Sequence, residues 1–143
     1  SMGHCSSIAL GIAISNPERN IICIDGDGSL IMHMGSLSII GKLKPKNFFH
    51  ILINNQVHES VGGQATSARF IDFPKLVIAN GYNNVFITNN EVELESQVRK
   101  FIKGKGPNFL EVKVKPGWRK DLGRPTLKPV DNKKAFMNFL KEN

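Results

Sequence analysis

The sequence predicts a doubly wound, mainly parallel α/β sheet flanked by helices, on three observations. Short apolar runs stop abruptly at Gly, Asp or Asn, as strands buried on both faces do. Helix-like patterns separate each run from the next, the alternation expected of crossover connections in a parallel sheet. The chain has 143 residues, 41% of them hydrophobic, enough for one domain with its own core.

Each element follows from its residues. Ile8, Ala9, Leu10, Ile12, Ala13 and Ile14 predict a short buried helix ended by Asn16-Pro17. The run NIICID at 20–25 predicts a buried strand that stops at Gly26-Asp27-Gly28, with a helix over about 30–42. FFHILI at 48–53 predicts a second strand, ending at Asn54-Asn55. Residues 56–72, rich in Gly, Ser, Gln and Thr, lack periodicity, and a long loop of this kind is commonly functional. A short helix over 73–80, a strand over 83–88, a helix over 91–103 and a strand over 107–114 complete the sheet. An irregular basic segment, 115–129, leads to a closing helix over 131–142 with Asp131 as its N-cap.

Composition narrows the function classes. Net charge is +7, but it is uneven: from Arg99 onward 13 Lys and Arg face 4 Asp and Glu, while residues 1–98 carry 6 against 8. These basic residues interleave with helix and strand patterns and aromatics are few, so a solvated face or a lining for a small anion is expected over nucleic-acid binding. The apolar stretches are too short to cross a bilayer, and residues 1–15 have no basic start, so neither a membrane span nor a signal peptide is expected. Cys5 and Cys23 show no ligand spacing and no His placed to complete a zinc site, which predicts two reduced thiols and a cytoplasmic setting. No Gly-x-Gly-x-x-Gly follows a strand, which argues against dinucleotide binding.

The chemistry concentrates at two strand ends. In open α/β sheets ligands bind beyond the carboxyl ends of the strands, which puts Gly26-Asp27-Gly28-Ser29 and Asn54-Asn55 on one edge. Glycines let backbone approach a ligand, and a helix N-terminus offers free amides to phosphate. Asp27 adds a hard anionic oxygen and the Asn pair neutral ones. Magnesium takes about six oxygens and usually draws some from a diphosphate.

This spacing resembles the motif of the thiamine-diphosphate enzymes, Gly-Asp-Gly followed some 25 residues later by Asn-Asn. The resemblance implies the thiamine-diphosphate-binding fold, with thiamine diphosphate and Mg2+ as cofactors. It implies that Asp27, Asn55 and the Val57 carbonyl hold the metal, and that Gly26, Gly28 and Ser29 lie against the diphosphate. Met2, in Met2-Gly3-His4, would support the bent cofactor, with Gly3 and His4 beside it. Within the superfamily the chain is similar to the phosphonopyruvate decarboxylases through 3–11 (GHCSSIALG), His33-Met34-Gly35, 54–64 (NNQVHESVGGQ) and 119–126 (RKDLGRPT). Sulfopyruvate decarboxylases share the general plan and compete as the reading.

By the same resemblance, His58 and Ser60 are catalytic candidates, and Gln64, Arg119 and Arg124 substrate candidates. Plain surface or core roles stand beside each of these readings. Lys120 and Trp118 read as parts of the basic loop and of an interface, Glu59 as structural, and His33, His50 and Cys23 as packing residues. Residues 1–143 are expected to form one diphosphate- and magnesium-binding domain of a 2-oxo-acid decarboxylase. Its pyrimidine-binding domain, which brings a glutamate to the cofactor, would lie on another segment or subunit, in a homo-oligomer. Alone, the chain is expected to bind cofactor poorly and to catalyse little. A basic non-enzymatic binding module is the alternative from another class.

Overall fold

The computed structural model describes residues 2–142, and its centre is a four-stranded parallel sheet. Helix α1 (Cys5–Ser15) leads into β1 (Ile21–Gly26), followed by α2 (Asp27–Met32) and α3 (Ser36–Leu43). Then come β2 (Phe48–Asn54) and a two-stranded ribbon of β3 (Val57–His58) and β4 (Gln64–Ala65). The remainder is α4 (Phe73–Ala79), β5 (Asn84–Thr88), α5 (Glu91–Lys103), β6 (Asn108–Lys113) and α6 (Pro129–Glu142). Strand order is β1-β2-β6-β5, every pairing parallel. No helix among the described residues is long and apolar enough to cross a membrane.

The pleat sorts alternate residues to opposite faces. On one face Cys23, Phe48, Leu52 and Phe109 meet Ala9, Ala13, Leu37, Ile40, Phe73 and Val77 from α1, α3 and α4. On the other, Phe49 and Leu110 pack against Phe101 of α5, with Phe49 and Phe101 ring centroids 5.5 Å apart. Helices thus cover both faces, as predicted, but unequally. Over β1 the second face is largely open, with Phe136 and Phe139 of α6 beside Ile22: Ile22 and Ile24 are 51% and 62% exposed.

Three expectations change. The helix expected over 30–42 is two helices, α2 and α3, separated by a turn at His33-Met34-Gly35. The stretch 56–72 is not structureless: it holds the β3–β4 ribbon and two 3-10 turns, Glu59–Val61 and Ser67–Phe70. The closing helix begins at Pro129, so Asp131 lies in its first turn, where a carboxylate favours the helix dipole.

Candidate cofactor-binding site

Both strand ends meet as the parallel order requires. β1 and β2 are neighbours in register, with Gly26 opposite Ile53. The chain leaving β1 turns at once into α2, whose first residue is Asp27. A cavity of about 220 Å³ opens there, lined from the β1 side by Gly26, Asp27, Gly28 and Ser29. Asn55, Val57, His58 and Ser60 line it from the β2 side, and Met2 adds to the lining.

Asp27 is buried, at 2% exposure, and its Oδ2 accepts a hydrogen bond from the Thr66 hydroxyl at 2.5 Å. Its other oxygen is left for another partner. Among the described residues no Lys, Arg or His pairs with it. A buried carboxylate answered only by a neutral hydroxyl is costly unless a cation joins it, and a divalent ion fits that need.

The two asparagines diverge, because successive residues of a strand point to opposite faces. Asn54 is buried and donates through Nδ2 to Glu111 at 2.7 Å, away from the cavity. Asn55 Oδ1 accepts from the Val57 N–H at 3.1 Å, and its Nδ2 donates to Glu59 Oε2 at 3.1 Å. Gln56, between them, sits in the left-handed region with φ 63°, which makes the bend tight enough for that Asn55–Val57 bond. An amide oxygen carries two lone pairs, so Asn55 retains one for a metal.

The opening loop is tied to the first strand end: the Gly3 N–H donates to Ser29 Oγ at 3.0 Å. Gly3 has φ 86°, and a Cβ there would fall 2.5 Å from the His33 ring. His4 stacks on His33 with centroids 4.2 Å apart, precedes α1 without capping it, and does not line the cavity. At Gly28 a Cβ would lie 2.4 Å from the His58 imidazole, so the absent side chain is what lets His58 reach the turn.

The substrate candidates separate. Arg124 lines an adjoining cavity of about 380 Å³ with Trp118 and Leu122, and this cavity shares Glu59 and Ser60 with the first. Arg119 lines neither; it faces Asp121 at 3.5 Å. Gln64 is exposed and folds against Gly62. Sequence reasoning missed Thr66 and, in reading Glu59 as structural, left its partners unnamed. Glu59 Oε2 accepts both Asn55 Nδ2 and the Gly117 N–H (2.9 Å), joining the β2 end to the basic segment. Thr66 anchors Asp27. Thr66 carries no sequence signal, since it acts through a fold-back of 39 residues, whereas Glu59 reaches Asn55 four residues away and Gly117 58 residues on.

Known proteins resemble this chain in family and fold. A family described as "Thiamine pyrophosphate enzyme, C-terminal TPP binding domain" matches residues 1–112. A phosphonopyruvate decarboxylase of Streptomyces viridochromogenes is 33% identical over 140 residues, 98% of this chain and 35% of that protein. The sulfopyruvate decarboxylase subunit beta of Methanococcus maripaludis is 35% identical over 142 residues, 99% of this chain and 75% of that subunit. The chain therefore spans about a third of the phosphonopyruvate decarboxylase it matches and three quarters of the sulfopyruvate decarboxylase subunit. A solved structure described as a thiamin diphosphate-dependent enzyme from Mycobacterium smegmatis shares the fold, with a TM-score of 0.69 at 19% identity. That match covers 82% of this chain and 23% of the other. With the family matched over residues 1–112 and a carboxylate and an amide brought together at one sheet edge, the chain belongs to the thiamine pyrophosphate enzymes, as a C-terminal TPP-binding domain.

Proposed function

We propose that this domain holds the magnesium-diphosphate end of thiamine diphosphate for a decarboxylase acting on a 2-oxo acid with a second anionic group, phosphonopyruvate being the first choice. One observation carries the reading: Asp27 and Asn55, from the ends of neighbouring strands, line the same cavity. Asp27 and Asn55 would hold Mg2+ through side-chain oxygens, with the Val57 carbonyl as a third protein ligand. Gly26, Gly28 and Ser29 would face the diphosphate, and Met2 the organic part of the cofactor. When bound, thiamine diphosphate supplies a nucleophilic carbon and an electron sink for loss of carbon dioxide.

The chain's own residues do the rest. Thr66 fixes the Asp27 carboxylate, and Glu59 with the Val57 N–H fixes the Asn55 amide, so neither ligand has to be ordered when the metal arrives. His58 and Ser60 border the same cavity, within reach of a substrate lying over the cofactor. Arg124 would meet the second anion, because its guanidinium suits the oxygens of a phosphonate or sulfonate. The products would be phosphonoacetaldehyde and carbon dioxide.

A pyrimidine-binding domain or subunit would complete the site, in a homo-oligomer. The largely open apolar face of β1 supports such a partner, with Ile22 and Ile24 more than half exposed and Ile8 and Ile14 exposed on α1. The matched length of the sulfopyruvate decarboxylase subunit favours sulfopyruvate as the second reading.

Calorimetry with thiamine diphosphate and Mg2+, with and without a pyrimidine-binding partner, tests the site. Magnesium-dependent binding is expected, strengthened by the partner, and Asp27→Ala is expected to abolish it. Unchanged affinity in that variant would refute the assignment. Turnover of phosphonopyruvate, sulfopyruvate and pyruvate by the assembled protein then ranks the substrates. A gel-shift titration across salt excludes the nucleic-acid alternative if nothing shifts at low salt.

A further inference from the structure

A second group of potential metal ligands lies inside the sheet, on the face of β1 covered by α1. Cys23 and His50 are direct register partners on β1 and β2, and Asp25 follows Cys23 on the same face. One ligand atom from each of Cys23, Asp25 and His50 lies within 4.8 Å of the others, and all three residues are buried. The first residue of α1 brings a second thiol to the edge of this group: Cys5 Sγ is 3.6 Å from Cys23 Sγ, and a turn of its exposed side chain would bring it in as a fourth donor. The expectation that no histidine is placed to complete a zinc site is thereby overturned, because the partner sits 27 residues away in sequence but directly opposite in the sheet.

Two atoms of this group are buried and lack a hydrogen-bond partner, Asp25 Oδ2 and His50 Nε2. They face each other at 3.8 Å, too far for a hydrogen bond. Every other polar contact there is satisfied. Asp25 Oδ1 accepts the Gly26 N–H at 3.0 Å, and His50 Nδ1 lies 3.1 Å from the Tyr82 hydroxyl. If Nδ1 donates to that hydroxyl, Nε2 presents a lone pair toward a carboxylate, a repulsive pairing unless a cation lies between them. Metal-bound histidines are commonly oriented in this way by a hydrogen bond at the other ring nitrogen.

We propose that Cys5, Cys23, Asp25 and His50 form a structural zinc site, beside the diphosphate cavity but sharing no lining residue with it, that pins the start of α1 to β1 and β2. Two thiolates, an imidazole and a carboxylate suit a tetrahedral zinc ion, whereas magnesium prefers an all-oxygen shell. Zinc–sulfur bonds of about 2.3 Å at tetrahedral angles hold two sulfurs about 3.8 Å apart, and the observed sulfurs are 3.6 Å apart. Cys5 is exposed, which gives the ion a path inward.

The test is a titration of the full chain, reduced and stripped of metal, with Zn2+ against a chromophoric chelator, then with Co2+. One zinc per chain is expected, undisturbed by excess Mg2+. Cobalt is expected to give intense tetrahedral visible bands and a sulfur-to-cobalt charge-transfer band. Cys5→Ser, at an exposed position that spares the core, should roughly halve the charge-transfer intensity, as one of two thiolates is lost. Tyr82→Phe keeps the ring and should weaken zinc binding by about 10- to 100-fold. Absence of stoichiometric zinc, displacement by magnesium, or binding unchanged in both variants would each overturn the proposal.

Discussion

The two strand ends that meet at the cavity are held in different ways. The β1 end passes directly into a helix, and Asp27 is fixed by Thr66, 39 residues further along. The β2 end is held mostly by what adjoins it: Asn55 bonds to Val57 and Glu59, two and four residues on. Beneath that turn, Asn54 is moored to the sheet through Glu111 of β6. One end thus waits on the 56–72 segment folding back, while the other forms with the sheet. Substitutions at the β2 mooring should therefore be read mainly in stability, and those at the β1 mooring in ligand binding as well.

The largest stability effect is expected at Glu111. It is 2% exposed, and its carboxylate accepts Asn54 Nδ2 at 2.7 Å. Glu111→Ala leaves a void and a buried amide with nothing to donate to, at a cost of about 2–4 kcal/mol. Urea denaturation measures it. Glu111→Gln retains an acceptor and should recover most of the loss. A Glu111→Ala variant as stable as the parent would show that the β2 end needs no mooring.

Thr66→Val keeps the shape of the side chain but removes the only hydroxyl on Asp27. The expected cost is smaller, about 1–2 kcal/mol, and it should come with weaker magnesium-dependent cofactor binding in calorimetry, which Thr66→Ser restores. A loss of stability with unchanged binding would break the contrast between the two ends, since Thr66 would then be a core residue and not an anchor for a ligand.

Much of this architecture was legible. The four parallel strands follow the apolar runs because burial on both faces demands them, and Gly26-Asp27-Gly28 and Asn54-Asn55 fall at strand ends because each run stops there. The break between α2 and α3 was not legible, since Leu30 to Lys42 is continuously compatible with a helix and only tertiary packing chooses the turn. Acids within apolar runs carry a signal of their own. Asp25 in NIICID and Glu111 in NFLEVK are both buried, and each marks a polar cluster inside the sheet. Linear spacing concealed His50 from Cys23 because register, not sequence distance, sets contacts between parallel strands.

The smallest effect concerns the far end of the segment that carries Thr66. Asp72 precedes α4 and caps it, accepting the Lys75 N–H at 3.1 Å, and its carboxylate pairs with Lys75 Nζ at 2.8 Å. These contacts, the Lys75 side chain foremost, hold the Asp72 carboxyl below its ordinary value of 3.8. A depressed carboxyl stabilises the fold above the unfolded-state pKa, and that contribution fades as pH falls through the folded one. Asp72→Asn keeps a capping oxygen but not the charge. The stability gap between parent and variant should therefore be present at neutral pH and close in acid, and, as both groups are exposed, it should shrink with added salt. A gap that persists in strong acid would assign the effect to packing and not to the Asp72 charge.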